Sequence, residues 1–98
     1  MTDSIGFLTT LESIIRDRLA DGSEQSYTAG LVAEGTQRVA QKVGEEGLEL
    51  ALAAVIGSRE EQLNEAADLI YHILVLLQAQ GLALSDVAGI LEARHRNR

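Results

Sequence analysis

Two groups of acidic residues in the middle of the chain have the spacing of a helical metal site. The first group is Glu45, Glu46 and Glu49, and the second is Glu65 and Asp68. Residues three or four apart lie on the same face of a helix, so each group presents its carboxylates on one side. Such oxygen ligands suit Mg²⁺, which keeps several waters and commonly bridges carboxylates to substrate phosphates. The spacing therefore predicts a divalent-cation site between two helices.

The helices that carry these groups must fold back on one another if the carboxylates are to meet. The apolar spacing predicts one helix over Thr36–Ile56 and another over residues 59–80. Gly57 ends the first helix, and Ser58 forms a capping box with Glu61 at the start of the second. So short a connection requires roughly antiparallel helices. We therefore expect the five carboxylates around one region.

Two basic residues precede the first acidic group on its helix. Arg38 and Lys42 fall within the same arc as that group when residues are projected at about 100° each. This order can hold a phosphate against a metal, and it can equally be a solvated face with spaced ion pairs. Gly44 and Gly47 each cost about 1 kcal/mol relative to alanine in a helix interior. They indicate close approach of another backbone or of a ligand, unless they are tolerated surface glycines.

The rest of the chain predicts an all-α fold. Proline is absent, aromatic residues make up 3%, and Ala, Leu and Glu are plentiful, which favours helix over sheet. A first helix is expected over residues 4–20, and a fourth begins at Ser85. Residues 23–35 read as a loop that can hold one helical turn over residues 28–33.

The second long helix is apolar nearly all round over residues 69–77, and such a helix must be covered on every side. Four helices of a 98-residue chain scarcely supply that cover. The expected architecture is therefore a four-helix bundle completed by dimerisation, with this segment at the centre of the subunit contact.

Composition narrows the class of protein. The 98 residues make one domain, residues 1–98, and without cysteine the chain has neither disulfides nor thiolate metal ligands. A net charge of −7 argues against nucleic-acid binding, which needs clustered Lys and Arg. The N-terminus lacks the features of a secretory signal, and the longest apolar run falls far short of the roughly 20 residues that span a membrane. We therefore expect a cytoplasmic protein with no membrane contact.

Three further features can contact a substrate, and each has a structural alternative. Ser26, Tyr27 and Thr28 place three hydroxyls in a row, in either a binding segment or a capped surface turn. His72 lies on the helix face of the second acidic group, and it either orients a carboxylate or meets substrate, or is a buried, hydrogen-bonded histidine. The basic residues at 94–98 either reach a phosphate or complement the dipole of the last helix.

Together these segments resemble a known family. The pattern Glu-Glu-x-x-Glu, fifteen residues and then Glu-x-x-Asp is similar to the metal signature of the all-α nucleoside triphosphate pyrophosphohydrolases, the MazG-like and dimeric dUTPase superfamily. The surrounding residues resemble the phosphoribosyl-ATP pyrophosphohydrolases of histidine biosynthesis over nearly the whole chain. The segments that carry this second resemblance are Ser26-Tyr27-Thr28-Ala29, residues 38–46, residues 65–77 and Arg94-His95.

The resemblance implies a MazG-like helical homodimer and leaves open whether dimers pair further. It implies Mg²⁺-dependent hydrolysis of phosphoribosyl-ATP to phosphoribosyl-AMP and pyrophosphate, the second step of L-histidine biosynthesis. The implied metal ligands are Glu46, Glu49, Glu65 and Asp68, with Glu45 in or just behind their shell. The implied substrate contacts are Arg38 and Lys42 at the phosphates, and Ser26, Tyr27 and Thr28 at the other end of the substrate, with His72 beside the acidic face.

The sequence departs from the family pattern at one position. Gly30 stands where the family often has lysine after Ser-Tyr-Thr-Ala, so any phosphate contact from this position is in doubt. Some relatives are fused to a zinc-dependent phosphoribosyl-AMP cyclohydrolase domain. Because this chain has no cysteine and only 98 residues, we expect the stand-alone form.

The chemistry leaves one role and two rival functions open. Hydrolysis of the α–β phosphoanhydride needs an in-line water, neutralised triphosphate charge and a group that makes the water nucleophilic. Glu45 is the first candidate for the base, although spacing does not decide which carboxylate serves. The rival functions are a house-cleaning pyrophosphatase for dUTP or damaged triphosphates, and a non-catalytic helical module whose acidic stripe meets a basic partner.

Overall fold

The computed structural model describes residues 4–22 and 26–97 of the chain. Within these residues the fold has five helices and no strands. The helices are α1 (Phe7–Asp21), α2 (Tyr27–Ala33), α3 (Thr36–Ile56), α4 (Arg59–Ala79) and α5 (Leu84–Arg96). The all-α prediction is confirmed, and the helix beyond the four expected is α2, which replaces the single helical turn predicted in the loop. Residues 23–25 of that loop and residue 98 of the basic tail lie outside the described residues.

The predicted helix bounds are nearly those observed. α3 has the predicted bounds, α4 ends one residue earlier than expected, and α5 begins at Leu84. The largest difference is at α1, which begins at Phe7 after Gly6 and not at residue 4. α1 ends at Gly22, whose φ of 65° lies in the left-handed region that glycine adopts without strain.

α3 and α4 form the antiparallel hairpin that the short connection predicts. The Ser58 hydroxyl accepts a hydrogen bond from the Glu61 amide at 3.1 Å and so caps the start of α4. At the opposite end of the hairpin, Gln80 Nε2 donates to Thr36 Oγ1 at 3.2 Å. The first residue of α3 therefore lies beside the end of α4, and the two helices run alongside each other over their whole length.

The core lies where the first four helices meet. Each helix from α1 to α3 contributes one fully buried residue and α4 contributes two, namely Ile15, Leu31, Val39, Leu74 and Val75. Leu74 and Val75 are 1% and 0% exposed within the single chain. The expectation that residues 69–77 need a second copy to cover them is therefore wrong for the centre of this segment, because α1, α2 and α3 already cover it. Ile70 of the same segment stays 42% exposed.

A buried carboxylate that the sequence did not indicate holds the start of α5. Glu12 of α1 is 8% exposed. Its Oε2 accepts hydrogen bonds from the Leu84 amide at 2.6 Å and from Gln78 Nε2 at 3.1 Å. Glu12 therefore satisfies one of the backbone donors that every helix N-terminus leaves unpaired.

α5 leaves the rest of the fold at a sharp angle, and among the described residues none of its side chains is buried. The described part of the chain has no single helix that is both long and apolar enough to cross a membrane. α4 and α5 pass that test only as a pair, and they meet at a bend of 107°.

Candidate active site

The hairpin brings together three of the five predicted acidic residues. One carboxylate oxygen from each of Glu46, Glu49 and Glu65 lies within 4.8 Å of the other two. Glu46 is 6% exposed, whereas Glu49 is exposed and Glu65 is half-buried. The Oε2 atoms of Glu46 and Glu65 are buried without a hydrogen-bond partner among the described residues. Unpaired buried carboxylate oxygens are costly, so a cation is the partner that this cluster lacks.

The cluster fits a hard divalent cation. Mg²⁺ holds oxygen ligands at about 2.1 Å, so two ligand oxygens lie at most about 4.2 Å apart across the ion. The three oxygens, which all lie within 4.8 Å of one another, approach that spacing with small side-chain rotations. All three donors are carboxylate oxygens, the ligand type that such ions prefer over softer metals.

Crowding of negative charge at this cluster is strongest at Glu65. A hydrogen bond with Glu49, partial burial and the charges of Glu49, Glu46 and Asp68 raise the pKa of Glu65 from its ordinary 4.5 to about 7. Glu65 and Glu49 therefore share a proton at neutral pH when no cation is bound. A bound cation takes over the role of this proton, because it neutralises the same oxygens.

The raised pKa of Glu65 predicts a pH dependence for the stability of the metal-free protein. Between about pH 4.5 and about pH 7 the folded chain keeps a proton on Glu65 that the unfolded chain has lost. The free energy of unfolding contributed by Glu65 therefore falls as pH rises through this window. Urea denaturation in EDTA at several pH values measures it.

Two variants separate the contribution of Glu65 from that of other groups. We expect Glu65→Gln to flatten the pH dependence and Glu60→Gln, at an exposed position on the same helix, to leave it as in the wild type. A wild-type slope in Glu65→Gln would contradict the assignment of the shared proton to this residue.

The other two predicted acidic residues lie outside the cluster. Asp68 is exposed, although its charge contributes to the raised pKa of Glu65. Glu45 is also exposed, and its Oε2 accepts a hydrogen bond from Gln41 Nε2 at 3.3 Å. The roles predicted for Asp68 as a metal ligand and for Glu45 as a base remain predictions.

The two basic residues of α3 differ in their contacts. Lys42 Nζ lies 3.3 Å from Glu46 Oε1, as the ion-pair alternative predicts. The hydrogen bond to Glu46 raises the pKa of Lys42 against the lowering effect of burial, and the charges of Tyr27 and Glu45 add to the rise. Lys42 therefore engages one oxygen of Glu46 and leaves the other for a cation. Arg38 is half-buried, and its guanidinium makes no ion pair or side-chain hydrogen bond within the described residues.

The glycines of the site face open space. A Cβ built on Gly44 or Gly47 would meet no atom of the described chain within 4 Å. Close approach by another part of this chain, one of the two explanations offered for these residues, is therefore wrong. A ligand or a second copy remains as the other explanation. Gly30, where the family often has lysine, is equally open.

The predicted substrate-binding segment forms the start of α2 and is tied to α4. The Ser26 hydroxyl accepts from the Ala29 amide at 3.3 Å, so this residue caps the helix. Thr28 is 0% exposed, and its hydroxyl is hydrogen-bonded to that of Tyr71, a partner that the sequence did not indicate. Thr28 is therefore in the core, whereas Tyr27 remains 56% exposed.

His72 has the buried, hydrogen-bonded environment of its structural alternative. It is 7% exposed. Its Nδ1 lies 2.8 Å from the backbone carbonyl oxygen of Asp68, and its Nε2 lies 2.8 Å from the Tyr27 hydroxyl. Both ring nitrogens are therefore occupied by groups of the chain.

The chain matches known proteins over nearly its whole length. Residues 8–95 match the family described as phosphoribosyl-ATP pyrophosphohydrolase. Similar proteins include the histidine biosynthesis bifunctional protein HisIE of Shewanella oneidensis, 57% identical over 90 residues that make up 92% of this chain and 43% of that protein. Those of Photobacterium profundum and Vibrio cholerae are 56% and 54% identical, over 91% and 92% of this chain and 43% of each protein. The chain thus spans less than half the length of these curated relatives. Because the match extends across all five helices, the chain belongs to the phosphoribosyl-ATP pyrophosphohydrolase family.

Proposed function

We propose that this chain hydrolyses phosphoribosyl-ATP to phosphoribosyl-AMP and pyrophosphate with Mg²⁺, the second step of L-histidine biosynthesis. One observation carries the proposal. A member of this family places the carboxylate oxygens of Glu46, Glu49 and Glu65 within 4.8 Å of one another, and two of these side chains have a buried oxygen without a partner. A triphosphate and its Mg²⁺ supply what those oxygens lack.

The residues of the site divide the work of hydrolysis. Glu46, Glu49 and Glu65 hold the ion, with Asp68 beside Glu65 as a fourth ligand. When bound, Mg²⁺ neutralises phosphate oxygens and lowers the pKa of a coordinated water. Lys42 fixes the orientation of Glu46 through their 3.3 Å ion pair.

The base and the phosphate contacts lie on the exposed side of α3. Glu45 is outside the metal cluster and bonded to the neutral Gln41 amide, so its carboxylate is available to take a proton from the attacking water. The water oxygen then bonds to phosphorus as the α–β phosphoanhydride bond breaks and pyrophosphate leaves. Arg38, whose guanidinium is unpaired among the described residues, is placed one turn before Lys42 to bind phosphate oxygens.

Pyrophosphate release from the purified chain tests the function. We expect hydrolysis of phosphoribosyl-ATP in Mg²⁺, loss of activity in EDTA, and little hydrolysis of dUTP or other free triphosphates. Preference for a free triphosphate would replace the proposal with the house-cleaning function. Absence of pyrophosphate from every substrate would favour the non-catalytic module. Rescue of a histidine auxotroph that lacks this step is the matching genetic test.

The subunit arrangement is part of the proposal. We infer a homodimer with a MazG-like four-helix bundle, in the cytoplasm and without nucleic acid or a membrane. Large apolar side chains are exposed along the hairpin and on one edge of α5, which a monomer of this size rarely tolerates. They are Leu48, Leu52, Val55, Ile56, Leu63, Ile70, Val87, Ile90 and Leu91. A second copy would cover this face next to the acidic cluster.

A charge introduced into this face is expected to dissociate the dimer. Leu52 is 50% exposed and lines a groove with Ile56, Glu49 and Glu65. We expect Leu52→Glu to weaken dimerisation by about 10²-fold or more, because burying a carboxylate in an apolar contact costs several kcal/mol. Sedimentation velocity over a concentration series measures it.

The matched control is Leu82→Glu, at a residue that is 49% exposed but lies in the connection between α4 and α5. This variant is expected to dimerise like the wild type. A wild-type protein that remains monomeric at all concentrations would contradict the proposed assembly, and so would a Leu52→Glu variant that dimerises normally.

A further inference from the structure

His72 links the acidic helix α4 to the start of α2 through two hydrogen bonds. A carbonyl oxygen only accepts, so the 2.8 Å contact between Nδ1 and the Asp68 carbonyl places a hydrogen on Nδ1. In the neutral ring Nε2 is then an acceptor, and the Tyr27 hydroxyl donates to it at 2.8 Å. The phenolic oxygen of Tyr27 is therefore held in one place although the side chain is 56% exposed.

Two aromatic rings fix the plane of this imidazole. Tyr71 stacks on His72 with ring centroids 5.5 Å apart and an interplanar angle of 24°. Tyr27 meets the same ring edge-on, with centroids 5.8 Å apart and an angle of 82°. Tyr71 is itself hydrogen-bonded to the fully buried Thr28. Rotation of His72 would break both hydrogen bonds and both ring contacts, so the orientation of the imidazole is determined by the fold.

Tyr27 is also electrostatically close to the acidic site. Its charge is among the causes that raise the pKa of Lys42, after the hydrogen bond from Lys42 to Glu46. Lys42 in turn contacts Glu46 of the acidic cluster at 3.3 Å. Tyr27, Lys42 and Glu46 therefore connect α2 to the three carboxylates, while His72 connects Tyr27 to the backbone at Asp68.

We propose that His72 is a positioning residue that holds Tyr27 in register with the acidic cluster, so that the exposed Tyr27 ring receives the purine of the substrate while the triphosphate lies at the carboxylates. The inference rests on the proposed function. His72 has no ring nitrogen left for substrate, because the Asp68 carbonyl and the Tyr27 hydroxyl take both. An aromatic face of fixed orientation binds a base by stacking without a demand on its hydrogen-bonding pattern.

Two amide substitutions at position 72 separate the two hydrogen bonds. Glutamine places a polar atom where Nε2 stands and can keep the contact to Tyr27. Asparagine places one where Nδ1 stands, so it can keep the contact within α4 but does not reach Tyr27. We expect His72→Asn to raise KM for phosphoribosyl-ATP about tenfold with kcat changed less than about twofold. His72→Gln is expected to restore KM to near the wild-type value.

The double variant tests whether His72 acts through Tyr27. Tyr27→Phe keeps the ring but removes the hydroxyl, and we expect the same rise in KM of about tenfold. Tyr27→Phe/His72→Asn is then expected to show about tenfold in total and not about a hundredfold, because both changes remove one contact. Additive effects would overturn the proposal. So would melting temperatures that fall while KM stays unchanged, since that is the result of a merely structural role.

A spectroscopic measurement tests the contact without turnover. The chain has two histidines, so ¹⁵N spectra of the wild type and His95→Gln assign the His72 ring directly. We expect a protonated Nδ1 and an Nε2 resonance that shifts in Tyr27→Phe. An unshifted Nε2 would overturn the inference. Wild-type protein that does not hydrolyse phosphoribosyl-ATP would instead overturn the proposed function, whereas activity together with additive variants would overturn only the role of His72.

Discussion

Replacement of Glu49 by glutamine is expected to lower turnover of phosphoribosyl-ATP by about 10³-fold, which corresponds to about 4 kcal/mol of lost transition-state stabilisation. Glu49 is the exposed member of the three-carboxylate cluster, and glutamine keeps its size while removing the charge that attracts the ion. We expect the variant to fold like the wild type, because Glu49 is not in the apolar core. Steady-state pyrophosphate release and circular dichroism measure the two properties.

Asp68→Asn extends this experiment to the acidic residue that lies outside the cluster. A loss of similar size would show that Asp68 turns toward the ion when the site is loaded. Glu60→Gln removes one exposed carboxylate from the start of the same helix and serves as the control for net charge. Near-normal hydrolysis by Glu49→Gln would contradict the metal site as proposed, whatever the result for Asp68.

Truncation of Leu74 to alanine is expected to lower the free energy of unfolding by about 3 kcal/mol. Leu74 is 1% exposed and lies in the cluster shared by α1, α2, α3 and α4, so the change leaves a cavity that the surroundings fill only in part. A domain of this size has a free energy of unfolding of roughly 5–10 kcal/mol, and the loss is therefore a large share of it. Urea denaturation at one protein concentration measures the change, because dimerisation makes stability concentration-dependent.

Ile70→Ala on the same helix is the matched comparison. Ile70 is 42% exposed in the single chain, and we expect its truncation to cost less than about 1 kcal/mol within a subunit. Equal losses for the two variants would contradict the view that the chain itself covers the centre of residues 69–77. A loss for Ile70→Ala that grows with protein concentration would instead indicate that the second copy covers this residue.

The acidic cluster shows how function opposes stability in this fold. The carboxylates that suit a metal-bound triphosphate repel one another without it, and the rise in the pKa of Glu65 to about 7 is the consequence. Lys42 relieves only Glu46. Binding of a divalent cation is therefore expected to stabilise the folded chain most at high pH, where the shared proton is lost.

The sequence by itself determined the features that depend on neighbouring residues. The bounds of α3 follow from helical periodicity, and the hairpin follows from Gly57 and the capping residue Ser58, so the approach of the two acidic groups was predictable. The family resemblance rests on the same local segments and is confirmed by the match over residues 8–95.

Only the tertiary structure decided which residues meet across the fold. It joined Glu46 and Glu49 to Glu65 and left Asp68 beside them, although helical spacing treats all of them alike. It paired His72 with Tyr27, 45 positions apart in the chain, and placed Leu74 against helices of the same subunit. The physical reason is that spacing along a helix fixes the face on which a side chain lies, whereas its partner is set by the rotation and offset at which helices pack.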